Sequence, residues 1–416
     1  MGPEERRIAE LSQEEYDLRL VVNRLRREVY QEPDPWASER LFAELQEREK
    51  ELSEAEKARA AAQAADERSG LLFDTEKTSG LLGADTTGLE AKVHLRLAQV
   101  PTSICHLFNR EEHPLLSCVV RNADDTGIRR LRIMSFIEGY SARAVDTVEL
   151  KARNEHEFKQ LPTLFPDRVR GVSELTRATL NVVVEDLDGQ IELHKTEPIW
   201  LLARTTAPLA VLDPQSGKWQ DMTPYLGAFV TPNVPILMTF LRVVAERHLR
   251  ERLVGYQGNP EAVEPQIRAI FDALKADADV TYVNSVIDFN PDQGSASQRV
   301  RLPRESLEDS LANCIDGTVL FASLLEAISL SPAIVVIPGH AFLAWETWRD
   351  RNGYSDEWKY LETTMIGSNT FEEACASGER TARDFKAIAE STGNPSLFRQ
   401  WPLRVLRTEH GITPME

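Results

Sequence analysis

The sequence predicts a multidomain protein of the α+β class. Three observations support this: apolar residues at helical spacing near the N-terminus, short β-rich runs in the middle, and alternating helix-like and strand-like segments towards the C-terminus. A chain of 416 residues has room for roughly two or three folded domains. The changes of pattern divide the chain into five segments, which are residues 1–66, 67–92, 93–212, 213–400 and 401–416.

Residues 1–66 predict a helical arm. Apolar residues recur at helical spacing within 12–31, and Pro33 and Pro35 then interrupt the pattern. A second segment, rich in Glu, Lys, Arg and Ala, starts at Trp36 and has its apolar residues close to a coiled-coil seam. We therefore expect a helical hairpin or short coiled coil. Two interpretations are open: a solvated arm packed against the rest of the protein, or a surface that binds a protein partner or a second copy.

Residues 67–92 shift to Gly, Ser, Thr and Asp and predict a linker. In residues 93–212, β-rich runs are separated by turn sequences such as NADDTG and DLDGQ. Short strands at this spacing, with little helical signal, predict an antiparallel β-sandwich of immunoglobulin-like type.

Residues 213–400 predict a C-terminal α+β domain, followed by a tail at 401–416. Amphipathic helical patterns occupy 231–254 and 260–277, and a strand-like run follows at 280–289. The segment after this run holds the residues that are candidates for chemistry.

Composition excludes several functional classes. A net charge of −18 argues against a general nucleic-acid or anionic-membrane surface. No apolar run approaches the ~18 residues that span a bilayer, and the polar N-terminal sequence does not resemble a secretory signal, so we expect a cytoplasmic protein without a membrane partner. No CxxC pair, HExxH motif or Gly-rich phosphate loop is present, so no metal or cofactor is expected. The four cysteines are Cys105, Cys118, Cys314 and Cys375.

One segment contains, in this order, a cysteine, a histidine and an acidic residue that are candidates for catalysis. Asn313 is a good N-cap, so Cys314 is expected in the first turn of a helix that runs to Ile328. The apolar run AIVVIP predicts a buried strand, and His340 follows it at the start of another. The run EWKYLETTMI predicts a third strand, on which Glu362 would lie.

This order of a helix-borne Cys, a strand-borne His and a strand-borne acid resembles the transglutaminase-like, papain-related superfamily of cysteine peptidases. The matching motifs are C-x-D-G at Cys314, PGHAF-x-x-W at 338–345 and W-x-x-L-E-T-T at 358–364. The sequence departs from the superfamily pattern at Phe342, where Trp is common, and at Glu362, where Asp is usual.

The resemblance implies a catalytic triad of Cys314, His340 and Glu362. A helix N-terminus and an imidazolium ion stabilise a thiolate nucleophile. His340 would then protonate the leaving amine, and Glu362 would hold the imidazole in the required tautomer. An oxyanion needs hydrogen-bond donors. The backbone N–H of Cys314 is one candidate and Gln298 is the other, because related enzymes use a polar side chain upstream of the nucleophile.

The leading hypothesis is therefore an intracellular, transglutaminase-like cysteine peptidase or amidase that cleaves protein or peptide amides through a cysteine thioester. A first alternative passes the same acyl group to an amine, as a transglutaminase does. A second alternative is a non-catalytic binding or scaffold subunit, in which the helical arm is combined with an inactive transglutaminase-like module. The sequence leaves all three open.

Overall fold

The computed structural model describes most of the chain from residue 88 onwards. The described residues are 88–213, 218–249, 252–257, 259–283, 295–350, 353–354 and 357–415, together with 11, 18, 21–22, 25, 40–41, 43–48, 50–52, 54–55 and 57–58. These residues form both helices and several sheets, which confirms the α+β class. None of the described helices is long and apolar enough to cross a membrane.

The chain divides into two compact units. The first comprises Met1–Thr206, Ala210–Gln220 and Phe289–Ala296, and the second comprises Ala207–Leu209, Asp221–Asp288 and Ser297–Glu416. The boundary predicted between residues 212 and 213 therefore falls within a stretch, 207–221, that the two units share.

The described residues of the predicted arm are helical at every position between 11 and 58. Val22, Leu25, Leu45 and Ala55 are buried, which agrees with an apolar stripe along one helical face. The hairpin or coiled-coil pairing of the arm stays a prediction. The predicted linker lies outside the described residues as far as residue 87.

The rest of the first unit is rich in β-structure. Its strands between residues 89 and 202 are β1 Leu89–Leu95, β2 Gln99–Pro101, β3 Leu116–Asn122, β4 Ile128–Ile137, β5 Ala144–Lys151, β6 Glu155–Gln160, β7 Thr176–Asp186 and β8 Ile191–Leu202, with the short helix α1 at Pro166–Val169. They form a three-stranded sheet in the order β1-β3-β6 and a five-stranded sheet in the order β2-β8-β7-β4-β5. All pairs are antiparallel except β2–β8. The two sheets agree with the predicted β-rich segment, whereas the immunoglobulin-like type of sandwich stays a prediction.

The chain from residue 206 onwards, which includes the second unit, is mixed in secondary structure. The elements from residue 206 onwards are β9 Thr206–Asp213, β10 Lys218–Asp221, α2 Pro235–Val243, α3 Val263–Ala276, β11 Thr281–Tyr282, β12 Ser295–Arg299, α4 Pro303–Asp309, β13 Leu311–Ala312, α5 Cys314–Ala327, β14 Pro332–Ile337, β15 His340–Glu346, β16 Arg349–Asp350, β17 Gly353–Tyr354, β18 Trp358–Leu361, α6 Phe371–Thr392, β19 Arg399–Pro402 and α7 Leu403–Thr408. A π-helical turn, Val244–Leu249, continues α2. The two predicted helices at 231–254 and 260–277 correspond to α2 with this turn and to α3.

A four-stranded antiparallel sheet forms the framework of this unit, in the order β18-β15-β14-β19. Strand β14 is buried at every position, as its apolar and largely β-branched sequence requires. Helix α5 packs against β14 and β15, and α6 packs against β18. The sheet therefore holds the cysteine-bearing helix next to the histidine-bearing strand.

A tight turn fixes where β15 begins. Ile337 and His340 are paired across the hairpin, so only Pro338 and Gly339 connect β14 to β15. Gly339 has a φ of 73°, which suits the third position of a turn that has proline in its second position. The Pro–Gly turn thus places His340 at the end of the sheet.

Three local expectations differ from the structure. The strand expected at 280–289 is the two-residue β11 in its described part, and residues 284–294 lie outside the described residues. The strand expected at 357–366 ends at Leu361, so Glu362 follows the strand and does not lie on it. The residues predicted as a tail, 401–416, include the end of β19, helix α7 and the buried side chain of Ile412.

Candidate active site

Cys314 is the first residue of helix α5, as the sequence predicts. The Asn313 side chain accepts a hydrogen bond from the Asp316 backbone N–H at 2.8 Å, and the Asp316 carboxylate accepts one from the Asn313 N–H at 3.1 Å. This reciprocal capping box fixes the start of the helix. Cys314 is partly exposed and lies at the positive end of the helix dipole.

Asp316 also anchors the chain that precedes the helix. Its fully buried carboxylate accepts hydrogen bonds from the Arg301 backbone N–H at 2.8 Å and from the Arg301 guanidinium at 3.0 Å. Burial raises the pKa of this carboxyl group and outweighs the hydrogen bonds that lower it. Asp316 therefore fixes the start of the helix that bears Cys314, because both of its oxygens are already used inside the protein.

His340 lies between the cysteine and the acid. Its Nε2 lies 2.8 Å from Glu362 Oε2, and the Cys314 side chain is near enough to the ring to raise its pKa. Since Nε2 faces the carboxylate, Nδ1 is the nitrogen left for the thiol. The ring is buried and stacks on Phe342, with 5.9 Å between ring centroids and 22° between the planes. Phe342, which departs from the superfamily pattern, thus holds the imidazole plane.

Glu362 is oriented by the turn that it caps. Its side chain accepts hydrogen bonds at Oε1 from the Thr364 backbone N–H at 3.2 Å and from the Thr364 hydroxyl at 2.7 Å. Its backbone N–H donates to the Ala374 carbonyl at the start of α6, at 3.1 Å. With 5% of the residue exposed, the carboxylate gives one oxygen to Thr364 and the other to His340.

The electrostatics favour an imidazolium–carboxylate pair. Burial is the largest influence on the pKa of His340 and lowers it, but the Glu362 charge, the nearby Cys314 side chain and the hydrogen bond to Glu362 raise the pKa to about 10. Burial likewise raises the pKa of Glu362, but the charge and hydrogen bond of His340 and the hydrogen bonds of Thr364 bring it below its usual value. Both groups are therefore charged at neutral pH.

Two threonines connect the helix that bears Cys314 to the turn that bears Glu362. The Thr318 hydroxyl donates to the Cys314 carbonyl at 2.7 Å and lies 3.3 Å from the Thr363 hydroxyl. Helix and turn approach closely at Gly317, where an added Cβ would lie 3.2 Å from Thr363 Oγ1. The distance between the cysteine and the acid is thus set by direct packing.

Tyr282 is a neighbour of the site that the sequence analysis missed. It lies on β11, which pairs in parallel with β13 two residues before Cys314. Burial raises the pKa of its phenol, and the charges of Cys314 and Glu362 raise it further. The only sequence signal was the strand-like run VTYVNSV, which does not reveal a neighbour that far away along the chain.

The remaining candidates have separate positions. Gln298 lies partly buried on β12, three residues before Arg301, and its role as an oxyanion donor stays a prediction. Burial raises the pKa of the thiols of Cys105, Cys118 and Cys375 to about 12 in each case, so these three thiols are protonated at neutral pH.

No family model, curated protein or solved structure matches the chain. The geometry of the site and the motifs that surround it are therefore the observations that bear on function.

Proposed function

We propose that the chain is a transglutaminase-like cysteine hydrolase that cleaves protein or peptide amides through a thioester on Cys314. The observation that carries the proposal is the position of His340, which is buried, hydrogen-bonded to Glu362 and close enough to Cys314 for the cysteine to raise its pKa. A nucleophile next to a base, with the base oriented by a third group, is the general arrangement for covalent catalysis.

The first half of the reaction forms the thioester. Cys314 Sγ attacks the amide carbonyl carbon and forms a C–S bond, while the carbonyl electron pair moves onto the oxygen. His340 then transfers its Nδ1 proton to the amide nitrogen, the C–N bond breaks, and the amine leaves. Glu362 retains its negative charge and holds Nε2–H throughout, because Thr364 fixes its other oxygen.

The second half regenerates the thiolate. His340 Nδ1 takes a proton from water as the water oxygen bonds to the thioester carbon, and the C–S bond then breaks to release the carboxylic acid. The Cys314 backbone N–H, at the free end of α5, is one donor for the oxyanion in both halves. Gln298 is proposed as the second donor.

The proposal is tested with a chain that lacks only the thiol. We expect wild-type protein to hydrolyse fluorescein-labelled denatured casein, and Cys314→Ala and His340→Ala to lose this activity. Cys314→Ala should retain the wild-type melting temperature, whereas His340→Ala should fold with a lower one, because it leaves the buried Glu362 carboxylate without its partner. Cys375→Ala is the matched cysteine control and should retain full activity. Turnover by Cys314→Ala at the wild-type rate would contradict the assignment.

A second arm of the assay separates hydrolysis from amine transfer. Dansylcadaverine is added at millimolar concentration, and the label incorporated into casein is compared with the peptide bonds cleaved. We expect cleavage to predominate. Incorporation without cleavage would replace hydrolysis by transamidation at the same cysteine.

A further inference from the structure

An aromatic side chain is exposed beside the proposed nucleophile. Among the described residues of the second unit, the exposed large hydrophobic side chains are Met238, Tyr282 and Val283. Two of these three are neighbours on or directly after β11, and Tyr282 is 44% exposed. Exposed aromatic rings of this kind supply large contact areas when a ligand covers them.

Strand β11 contacts the segment that precedes Cys314 on one side and the turn that follows Glu362 on the other. On one side, the Thr281 and Val283 N–H groups donate to the Ser310 and Ala312 carbonyls at 2.9 Å each, and Ala312 lies two residues before Cys314. On the other side, the turn that begins at Glu362 reaches Gly367, where an added Cβ would lie 3.0 Å from the Val280 carbonyl oxygen. Strand β11 is thus wedged between the segment that leads to the nucleophile and the turn that follows the acid.

We infer that Tyr282 forms a wall of the acyl-side substrate subsite of Cys314 and packs against an apolar side chain of a peptide substrate. This inference rests on the proposed function, since it assumes that Cys314 attacks a peptide carbonyl. The charges of Cys314 and Glu362 act on the Tyr282 phenol and raise its pKa, although burial has the larger effect. The phenol remains protonated at neutral pH, so the ring presents a neutral surface to the substrate.

The contact is made by the ring face. We therefore expect Tyr282→Ala to remove it and Tyr282→Phe to retain it. Phe165 is the matched control, because it is also 44% exposed and belongs to the first unit. Phe165→Ala removes a ring of equal exposure without touching β11.

Two alkylating reagents with the same reactive group provide the test. Benzyloxycarbonyl-Phe-Ala chloromethyl ketone and chloroacetone each form a C–S bond with Cys314 and expel chloride, but only the first carries a peptide. We expect Tyr282→Ala to slow alkylation by the peptidyl reagent about tenfold and to leave chloroacetone unaffected, which corresponds to about 1.4 kcal/mol of binding free energy. Tyr282→Phe and Phe165→Ala should react with both reagents at the wild-type rates.

Any other outcome contradicts the inference, and the outcomes distinguish a failure of the inference from a failure of the proposed function. If Cys314 reacts normally but Tyr282→Ala leaves the ratio of the two rates unchanged, or slows both reagents equally, Tyr282 is no substrate wall and the hydrolase proposal stands. An equal loss in Phe165→Ala would show that the effect is not local to β11. If Cys314 reacts with neither reagent, the hydrolase proposal fails and this inference fails with it.

Discussion

Replacing Glu362 by Gln removes the negative charge of the side chain but keeps its size and shape. The carboxylate has two oxygens in use: Oε2 accepts from His340, and Oε1 accepts from the backbone N–H and the hydroxyl of Thr364. A glutamine has one oxygen and one NH₂ group. It must therefore either turn its NH₂ group towards the Thr364 donors or turn it towards His340 Nε2, and the second choice imposes the wrong tautomer.

The expected cost follows from this conflict. A buried donor left without an acceptor costs about 1–3 kcal/mol, so the free energy of unfolding of Glu362→Gln should fall by this amount. Loss of a correctly oriented base reduces kcat/KM by about 100-fold or more. Glu362→Asp keeps two carboxylate oxygens and the charge, so much of the activity should remain.

The pH dependence gives the sharper result. The imidazolium is present below the raised pKa of His340 and is lost as the pH rises through it, so the basic limb of kcat/KM should lie well above neutrality in the wild type. Removing the Glu362 charge leaves burial, which lowers the pKa of His340, and should move this limb down by about 1–3 pH units. The limb reports on the coupled Cys314–His340 pair, so the shift is compared between variants.

The assay is kcat/KM against pH for the wild type, Glu362→Gln and Thr364→Val. Thr364→Val is the control, because it removes the 2.7 Å hydrogen bond to Oε1 but leaves the charge, and its basic limb should stay close to that of the wild type. A basic limb that does not move in Glu362→Gln would refute the assignment of Glu362 as the third member.

Two further predictions concern the framework around the site. Gly378 lies where an added Cβ would be 2.8 Å from the Leu361 backbone nitrogen, so Gly378→Ala should push α6 away from β18 and lower both the melting temperature and kcat/KM. The expected cost is about 1–3 kcal/mol, which exceeds the gain in helix propensity. Ser377→Ala on the same helix should change neither quantity, and a Gly378→Ala protein as stable and active as the wild type would contradict the packing. Arg407 donates two hydrogen bonds to the Glu326 carboxylate, at 2.9 and 3.0 Å. Arg407→Met should therefore lower the free energy of unfolding, measured in urea, by about 3–5 kcal/mol. A change below about 1 kcal/mol would show that the protein does not need this C-terminal contact.

The sequence predicts those parts of the site that depend on local signals. Asn313 predicts that a helix starts at Cys314, and the Pro338–Gly339 turn predicts that a strand starts at His340. Both signals lie within a few residues of the side chain that they position, and both elements are found where they were expected.

Features that depend on contacts between distant residues escape the sequence. Glu362 was expected on a strand because its neighbours favour β-structure, but pairing with β15 ends at Leu361. Glu362 instead caps the turn that follows, because its side chain accepts a hydrogen bond from the Thr364 backbone N–H. Strand β19 was missed because it is short and contains Pro402, which is tolerated at the edge of the sheet. Tyr282 was missed because only the pairing of β11 with β13 brings it close to Cys314.

The most direct test of the central claim is the reactivity of the cysteines towards iodoacetamide at pH 7, followed by mass spectrometry of each peptide. Cys375 is the internal reference, because it is also partly exposed and its raised pKa keeps it protonated. If Cys314 and His340 form a thiolate–imidazolium pair, Cys314 is alkylated much faster than Cys375, and His340→Ala slows Cys314 without changing Cys375. Equal rates for the two cysteines, or a Cys314 rate that does not respond to His340→Ala, would show that the pair is not catalytic and would favour a binding role for the domain.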